Sequence, residues 1–275
     1  ARRRVESGAR MKFLIFGDVV GVPGRIAVSR VLPKLREEYQ PDSVIVNIEN
    51  IASRGLGVSA KGFADAQAWK ADVYTTGDHA WDNKAGVMLL EKAENRIIRP
   101  ANSPPGVPGR GYTIFQKGAY SVAVINLQGQ VFFKNHPLSP FHTLDGFLKL
   151  PEIAGANIRL VDFQADATSE KRGLGLYADR RISALWGTHT HVPTNDGQIL
   201  PGGTGYITDI GCCGNHHSVI GFHPKGPLYQ FLHQTKAEAP VGETGALEVG
   251  ALFLDINPSS GKTTDIAQIR EILED

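Results

Sequence analysis

Cysteine is nearly missing from this chain: there are two in 275 residues, and those two, Cys212 and Cys213, are adjacent. Neighbouring cysteines rarely meet the Cα and Cβ geometry of a structural disulfide. A disulfide scaffold is therefore excluded, and a reducing cytoplasm is the expected setting. The pair reads as two small buried thiols, with a two-ligand metal role as the alternative. Long apolar runs are missing too: none approaches the roughly 18–20 residues of a membrane span, so no membrane partner is expected. Nor is there a surplus of charge, since the formal net charge is +1. Nothing demands a duplex nucleic-acid surface or an anionic membrane. A small phosphorylated ligand is still allowed, because local field governs it. Residues 1–10 are basic and lack the apolar core of a secretory signal. They read as a tag or disordered tail ahead of one domain over residues 11–275.

What is present is an alternation of strand and helix. Apolar runs at 12–16, 43–46 and 72–75 read as strands, separated by helices over about 25–39 and 59–69 and followed by one over 83–92. The first of these helices carries Ile26, Val28, Val31, Leu32 and Leu35 on its inner face, with Pro33 predicting a kink or a late start. Ser59 is placed to cap the second. Short β-α-β-α spacing predicts parallel strands. After a Pro- and Gly-rich stretch, strands are expected at 112–115, 121–127, 158–163, 182–186, 205–208 and 247–255, with helices at 143–150 and 168–180. The last third reads as more antiparallel. Two stacked sheets with helices outside are the simplest packing.

Four polar clusters each follow an apolar run: Phe16-Gly17-Asp18, Asn47-Ile48-Glu49-Asn50, Thr76-Gly77-Asp78-His79 and Gly187-Thr188-His189-Thr190-His191. Side chains at strand ends sit on the rim of a sheet, where ligands collect in open α/β folds. Oxygen and nitrogen donors on four rims indicate a hydrolytic metal site. Taken alone, Asp18 equally suits an N-cap, and Asp78 a capped helix start. Glu49-Asn50 is harder to explain that way: a glutamate can bridge two cations while the neighbouring amide holds one. Alternation places His189 and His191 on one face of an extended segment, and paired imidazoles suit zinc, iron, manganese or cobalt. Two divalent ions about 3.5–4 Å apart would clamp a phosphate and supply a bridging hydroxide. His79 is assigned as general acid and phosphate-oxygen donor, and Asn50 as ligand, phosphate contact, or both.

Other residues are read more plainly. Lys171 and Arg172 suit a solvated face, with anion steering as the alternative. Phe132 and Phe133, in the long loop 128–144, suit either base stacking or a core or oligomer contact. The glycines lack a P-loop or dinucleotide fingerprint, which disfavours a Rossmann-type binder.

Together with Val161-Asp162-Phe163 and Ala167-Thr168-Ser169-Glu170-Lys171, the four clusters resemble, in order, the YmdB-like branch of the calcineurin-like metallophosphoesterases. The resemblance runs from Met11 to about Asp255. It implies an α/β fold, a four-layer α/β/β/α sandwich of two mixed sheets flanked by helices. It implies a dinuclear iron or manganese site, phosphodiesterase or phosphatase activity with 2′,3′-cyclic nucleotides as a typical substrate class, and a homodimer or homotetramer. By resemblance, Asp18, Glu49, Asn50 and His191 hold the first ion. Glu49 bridges to the second, joined by Asp78 and His189, and His79 is the non-ligating catalytic histidine. Two positions depart from the family pattern. Asp78 stands where asparagine is usual, and Gln164 where a histidine ligand is usual. A glutamine carbonyl is a harder, weaker donor for a transition metal. A weak second ion, with His216 or His217 as substitutes, and a catalytically weakened nucleotide-binding or regulatory relative are the alternatives this raises.

Overall fold

Alternation along the first strand sets the layering. In β1 (Met11–Phe16), Leu14 and Phe16 face one way and Phe13 and Ile15 the other, all fully buried. One face meets helices and the other meets a second sheet. The computed structural model describes residues 9–242 and 245–274. Residues 1–8 of the expected tail lie outside the described residues; Arg10 is tied to the fold by a 2.9 Å ion pair with Asp255.

After β1 come β2 (Asp18–Val19), α1 (Gly21–Tyr39), β3 (Ser43–Asn47), α2 (Ala60–Gln67), β4 (Val73–Thr75), α3 (Lys84–Leu90) and β5 (Ile97–Ile98). The next stretch supplies β6 (Tyr112–Lys117), β7 (Tyr120–Gln128), α4 (Pro140–Phe147), α5 (Pro151–Ala154), β8 (Ile158–Gln164), α6 (Thr168–Ala178), β9 (Ala184–Thr188), β10 (Gln198–Ile199) and β11 (Gly205–Ile207). The chain closes with β12 (Cys212–Asn215), α7 (Lys225–His233), β13 (Leu247–Asn257) and β14 (Lys262–Leu273). One sheet is 8-stranded in the order β2-β12-β13-β1-β3-β4-β5, with β14 beside β13; the other is 6-stranded, β10-β11-β9-β8-β7-β6. Both are mixed: β1 runs parallel to β3 but antiparallel to β13, and β8 runs parallel to β7 and β9 while β6 opposes β7. Two separate sheets are not the single doubly wound sheet of a Rossmann arrangement.

Three apolar layers fill the sandwich. Leu14, Val44 and Val46 pack with Val28, Val31 and Leu35 of α1. Phe13, Ile15 and Ile45 meet Val122, Leu160 and Trp186 between the sheets. Ala123, Val161 and Leu185 pack with Leu144 of α4 and Leu174 of α6. The order helix, sheet, sheet, helix is the four-layer sandwich that the resemblance implies.

Local differences have local causes. Helix α1 begins at Gly21 and runs through Pro33, so the expected late start is wrong; Gly21 takes φ 61° just ahead of the helical turn. Ile26 lies on its outer face. Ser59 caps α2 by accepting from the Gly62 amide. Helix α4 starts three residues earlier than expected, because Ser139 caps it and Pro140 occupies its first turn. Both cysteines are buried free thiols pushed up from their ordinary value by that burial. No described helix is long and apolar enough to cross a membrane.

Candidate metal centre

The four clusters meet across the two sheets. β2 and the ends of β3 and β4 in the first sheet deliver Asp18, Glu49-Asn50 and Asp78-His79, and β8 and the end of β9 in the second deliver Gln164 and His189–His191. Neither carboxylate with an open capping alternative is a cap. Val20 precedes α1 without a side-chain cap bond, and Asn83 caps α3.

The inner part of the cluster is buried. Asp18 and Glu49 are fully enclosed, with Asn50 and His191 nearly so. Asp18 Oδ2 accepts from the His189 amide at 3.2 Å, and Oδ1 lies 3.6 Å from His191 Nε2. His191 Nδ1 is 2.8 Å from the Ile220 carbonyl, where it acts as donor and leaves Nε2 as the electron-pair atom. Asn50 Nδ2 approaches that Nε2 at 3.2 Å. Burial opposes charge on Asp18, but the neighbouring His191 outweighs it and holds the carboxyl below its ordinary value. Burial likewise opposes the imidazolium of His191, yet Asp18 leaves it raised.

The outer part faces solvent. Asp78 and His189 are partly exposed, with Asp78 Oδ1 3.4 Å from His189 Nδ1. Asp78 is held low despite its burial by the hydrogen bond and charge of His189. Glu49 spans both parts: Oε1 accepts from the His79 amide at 2.9 Å, and Oε2 accepts from Gln164 Nε2. Burial, then the carboxylates of Asp78 and Asp18, push Glu49 well above its ordinary value. Glu49, Asp78 and His79 bring ligand atoms within 4.8 Å of one another. Gly77 makes this approach possible, because a Cβ there would lie 2.3 Å from both Gln164 Cδ and Glu49 Oε2.

The residues fit divalent cations. Asp18 Oδ1 and Asn50 Oδ1 are buried oxygens without a hydrogen-bond partner, an arrangement that costs free energy unless something positive fills the gap. A buried glutamate crowded by two carboxylates has the same need. Asp18, Glu49, Asn50 and His191 could hold an inner ion, and Glu49, Asp78 and His189 an outer one, which Gln164 would join only with its amide turned to present Oε1.

Several expectations change here. The segment 189–191 is not extended: His189 has φ 91° and His191 φ 63°. Both rings still reach the cluster, through a left-handed turn and not through alternation. Gln164 Oε1 lies 3.0 Å from Thr188 Oγ1. Its Nε2 faces the outer donors, 3.1 Å from Asp78 Oδ1 and 2.9 Å from His189 Nδ1. The amide therefore turns its donor side to the cluster. His216 is engaged with Glu248 at 3.1 Å and stacks on His217, so the substitution suggested for these two is not seen. Phe133 rests against the His189 ring at 4.7 Å between centroids, while Phe132 is exposed.

Three neighbours were missed. Asp82 Oδ2 sits 2.7 Å from His79 Nδ1; its i,i+3 spacing in His79-Ala80-Trp81-Asp82 was the available signal. Asp162 is fully buried beneath the cluster and accepts from Thr188 Oγ1 at 2.7 Å as well as from Thr75. Its burial pushes it up to about 7. Lys171 is fully buried, contrary to the solvated face expected of it, and Arg172 lies over the Tyr206 ring.

Comparison with known proteins finds relatives over nearly the whole chain. A family model described as "YmdB-like protein" matches residues 14–269. The 2′,3′-cyclic-nucleotide 2′-phosphodiesterase of Bacillus subtilis (strain 168) is 40% identical over 264 residues, 94% of this chain and 96% of its own. A solved phosphatase from Mycoplasma pneumoniae superposes with a TM-score of 0.90 at 30% identity, covering 98% of this chain and 95% of its own. A Thermus thermophilus structure described as a hypothetical protein gives 0.88 at 36% identity, covering 96% of this chain and all of its own. The chain belongs to the YmdB-like protein family and is an enzyme of the phosphodiesterase or phosphatase class.

Proposed function

We propose that this chain is a metal-dependent phosphohydrolase acting on small phosphodiesters or monoesters, with 2′,3′-cyclic nucleotides as the substrate class. The observation that carries the reading is the meeting of Asp18, Glu49, Asn50, Asp78, His189 and His191 from two sheets around unpartnered buried oxygens. The substrate class is supported by the 40% identical Bacillus subtilis relative, whose name specifies 2′,3′-cyclic nucleotides. Two divalent ions, iron or manganese, would be held by the residues named above; when bound they supply charge neutralisation of the phosphate and an acidified water.

The chain's own groups do the rest. His79 Nδ1 is fixed by Asp82, which leaves Nε2 to protonate the departing ester oxygen. Nε2 lies 3.8 Å from Asp78 Oδ2, at the exposed side of the cluster where a phosphate arrives. The Asn50 amide would ligate through its buried Oδ1, contact a phosphate oxygen, or do both. Phe133 packs on His189 and holds the ring against the outer donors. A reducing cytoplasm suits the two buried free thiols. The exposed Leu228, Phe231 and Leu232 of α7 suit a homodimer or homotetramer.

One observation favours a second reading, a nucleotide binder with weakened catalysis. Gln164 Nε2 donates toward Glu49, Asp78 and His189, the donors of the outer position. Turnover of 2′,3′-cyclic AMP with added Mn²⁺ separates the two. Rapid turnover abolished by His79→Ala supports the hydrolase; tight nucleotide binding without turnover supports the second reading.

A further inference from the structure

We propose that Lys171 and Asp209 are positioning residues of the cation site: their buried ion pair clamps the turn 189–191 so that both imidazoles face the ions. The inference rests on the metal-dependent reading above.

The pair is fully enclosed, with Lys171 Nζ 2.6 Å from Asp209 Oδ2. Taking two charges out of water is costly, and apolar replacements of such pairs are often no less stable. Stability alone therefore gives little reason for it. Its hydrogen bonds show what it holds. Lys171 Nζ donates to the Thr188 carbonyl at 2.8 Å. Asp209 Oδ2 accepts from Thr190 Oγ1 at 2.7 Å and from the Thr190 amide at 3.3 Å. The two residues flanking His189 are thus both tied to one ion pair. His189 and His191 adopt positive φ values that non-glycine residues avoid. Such backbone persists only where its surroundings over-determine it.

The path of the lysine is built for this contact. Lys171 comes from α6 and passes Gly187, where a Cβ would lie 2.9 Å from Lys171 Cδ and 1.8 Å from the Thr208 carbonyl. On the far side, Asp209 Oδ1 accepts from the Gly211 amide at 2.8 Å. Gly211 in turn packs on Gly17, since a Cβ at 17 would meet its carbonyl oxygen at 1.9 Å. Gly17 precedes Asp18. One carboxylate therefore links the histidines of the second sheet to the aspartate of the first.

The test uses the full chain, with Mn²⁺ affinity by equilibrium dialysis, the visible spectrum of the Co²⁺-loaded protein and the thermal midpoint measured together. Thr190→Val removes the hydroxyl that binds Asp209, Lys171→Met removes the ammonium, and Val161→Ala is a buried control in the apolar layer between the second sheet and its helices. Thr190→Val and Lys171→Met are expected to weaken Mn²⁺ binding by about tenfold or more and to alter the Co²⁺ spectrum. Val161→Ala is expected to lower the midpoint while leaving both unchanged. Wild-type affinity and spectrum in Thr190→Val and Lys171→Met, whatever their midpoints, would overturn the proposal. If Lys171→Met does not fold, Thr190→Val decides alone. A wild-type chain that binds neither ion would overturn the metal-dependent reading itself, a result distinct from failure of the clamp.

Discussion

The Asp18 carboxylate lies 3.6 Å from the His191 imidazole, although the first side chain belongs to one sheet and the second follows a strand of the other. A cation bound between them would join the two halves of the sandwich. Asp18→Ala should therefore remove the inner ion, weakening Mn²⁺ binding by more than the roughly 100-fold seen for residues that merely support ligands. Dialysis against Mn²⁺ checks this. Affinity near wild type would mean that Asp18 is not a ligand.

Gly77 offers a subtler probe. A methyl there would collide with Gln164 and Glu49, not with the apolar layers. Gly77→Ala is expected to lose ion binding and turnover while costing about 1–3 kcal/mol of stability. A variant that keeps full metal content would show that Glu49 and Gln164 can part without consequence.

The His79–Asp82 contact predicts graded kinetics. His79→Ala should lower kcat by about 10²–10³-fold with metal content unchanged. Asp82→Asn, which weakens only the fixing of the ring, should lower it by roughly tenfold. Steady-state kinetics beside metal analysis checks both. An equal loss of metal in His79→Ala would recast that histidine as a ligand.

Asp162 makes stability depend on pH. Its carboxyl is pushed up to about 7 by burial, against an ordinary value of 3.8. The folded chain therefore binds this proton more tightly than the unfolded one. The resulting stabilisation is complete below the ordinary value and is lost as pH rises through about 7, a span of about 4 kcal/mol. Denaturant unfolding of metal-free protein between pH 5 and 8 should show a decline that Asp162→Asn flattens. Equal pH slopes for both would refute the assignment.

Much of this site was legible because β-strands announce themselves. Apolar runs ahead of Asp18, Glu49-Asn50, Asp78-His79 and His189-x-His191 mark, from hydrophobicity alone, four segments that lie in or just after strands. Ser59 was legible as a cap because its chemistry is local. What escaped detection depends on distant partners. Lys171 reads as a surface charge until Asp209, 38 residues on, is brought beside it. The left-handed turn at His189 and His191 is imposed by that packing and contradicts the preference of the residues themselves. The longest strand, β14, was missed because residues such as Lys262, Asp265, Gln268 and Glu271 break its apolar pattern. It is held by long antiparallel pairing with β13.

Anomalous X-ray scattering from crystals grown with Mn²⁺ is the most direct test of the proposed cation site. The account predicts a strong peak among Asp18, Glu49, Asn50 and His191, and a second, weaker peak beside Asp78, Gln164 and His189. Crystals that bind Mn²⁺ only elsewhere, or not at all, would contradict it.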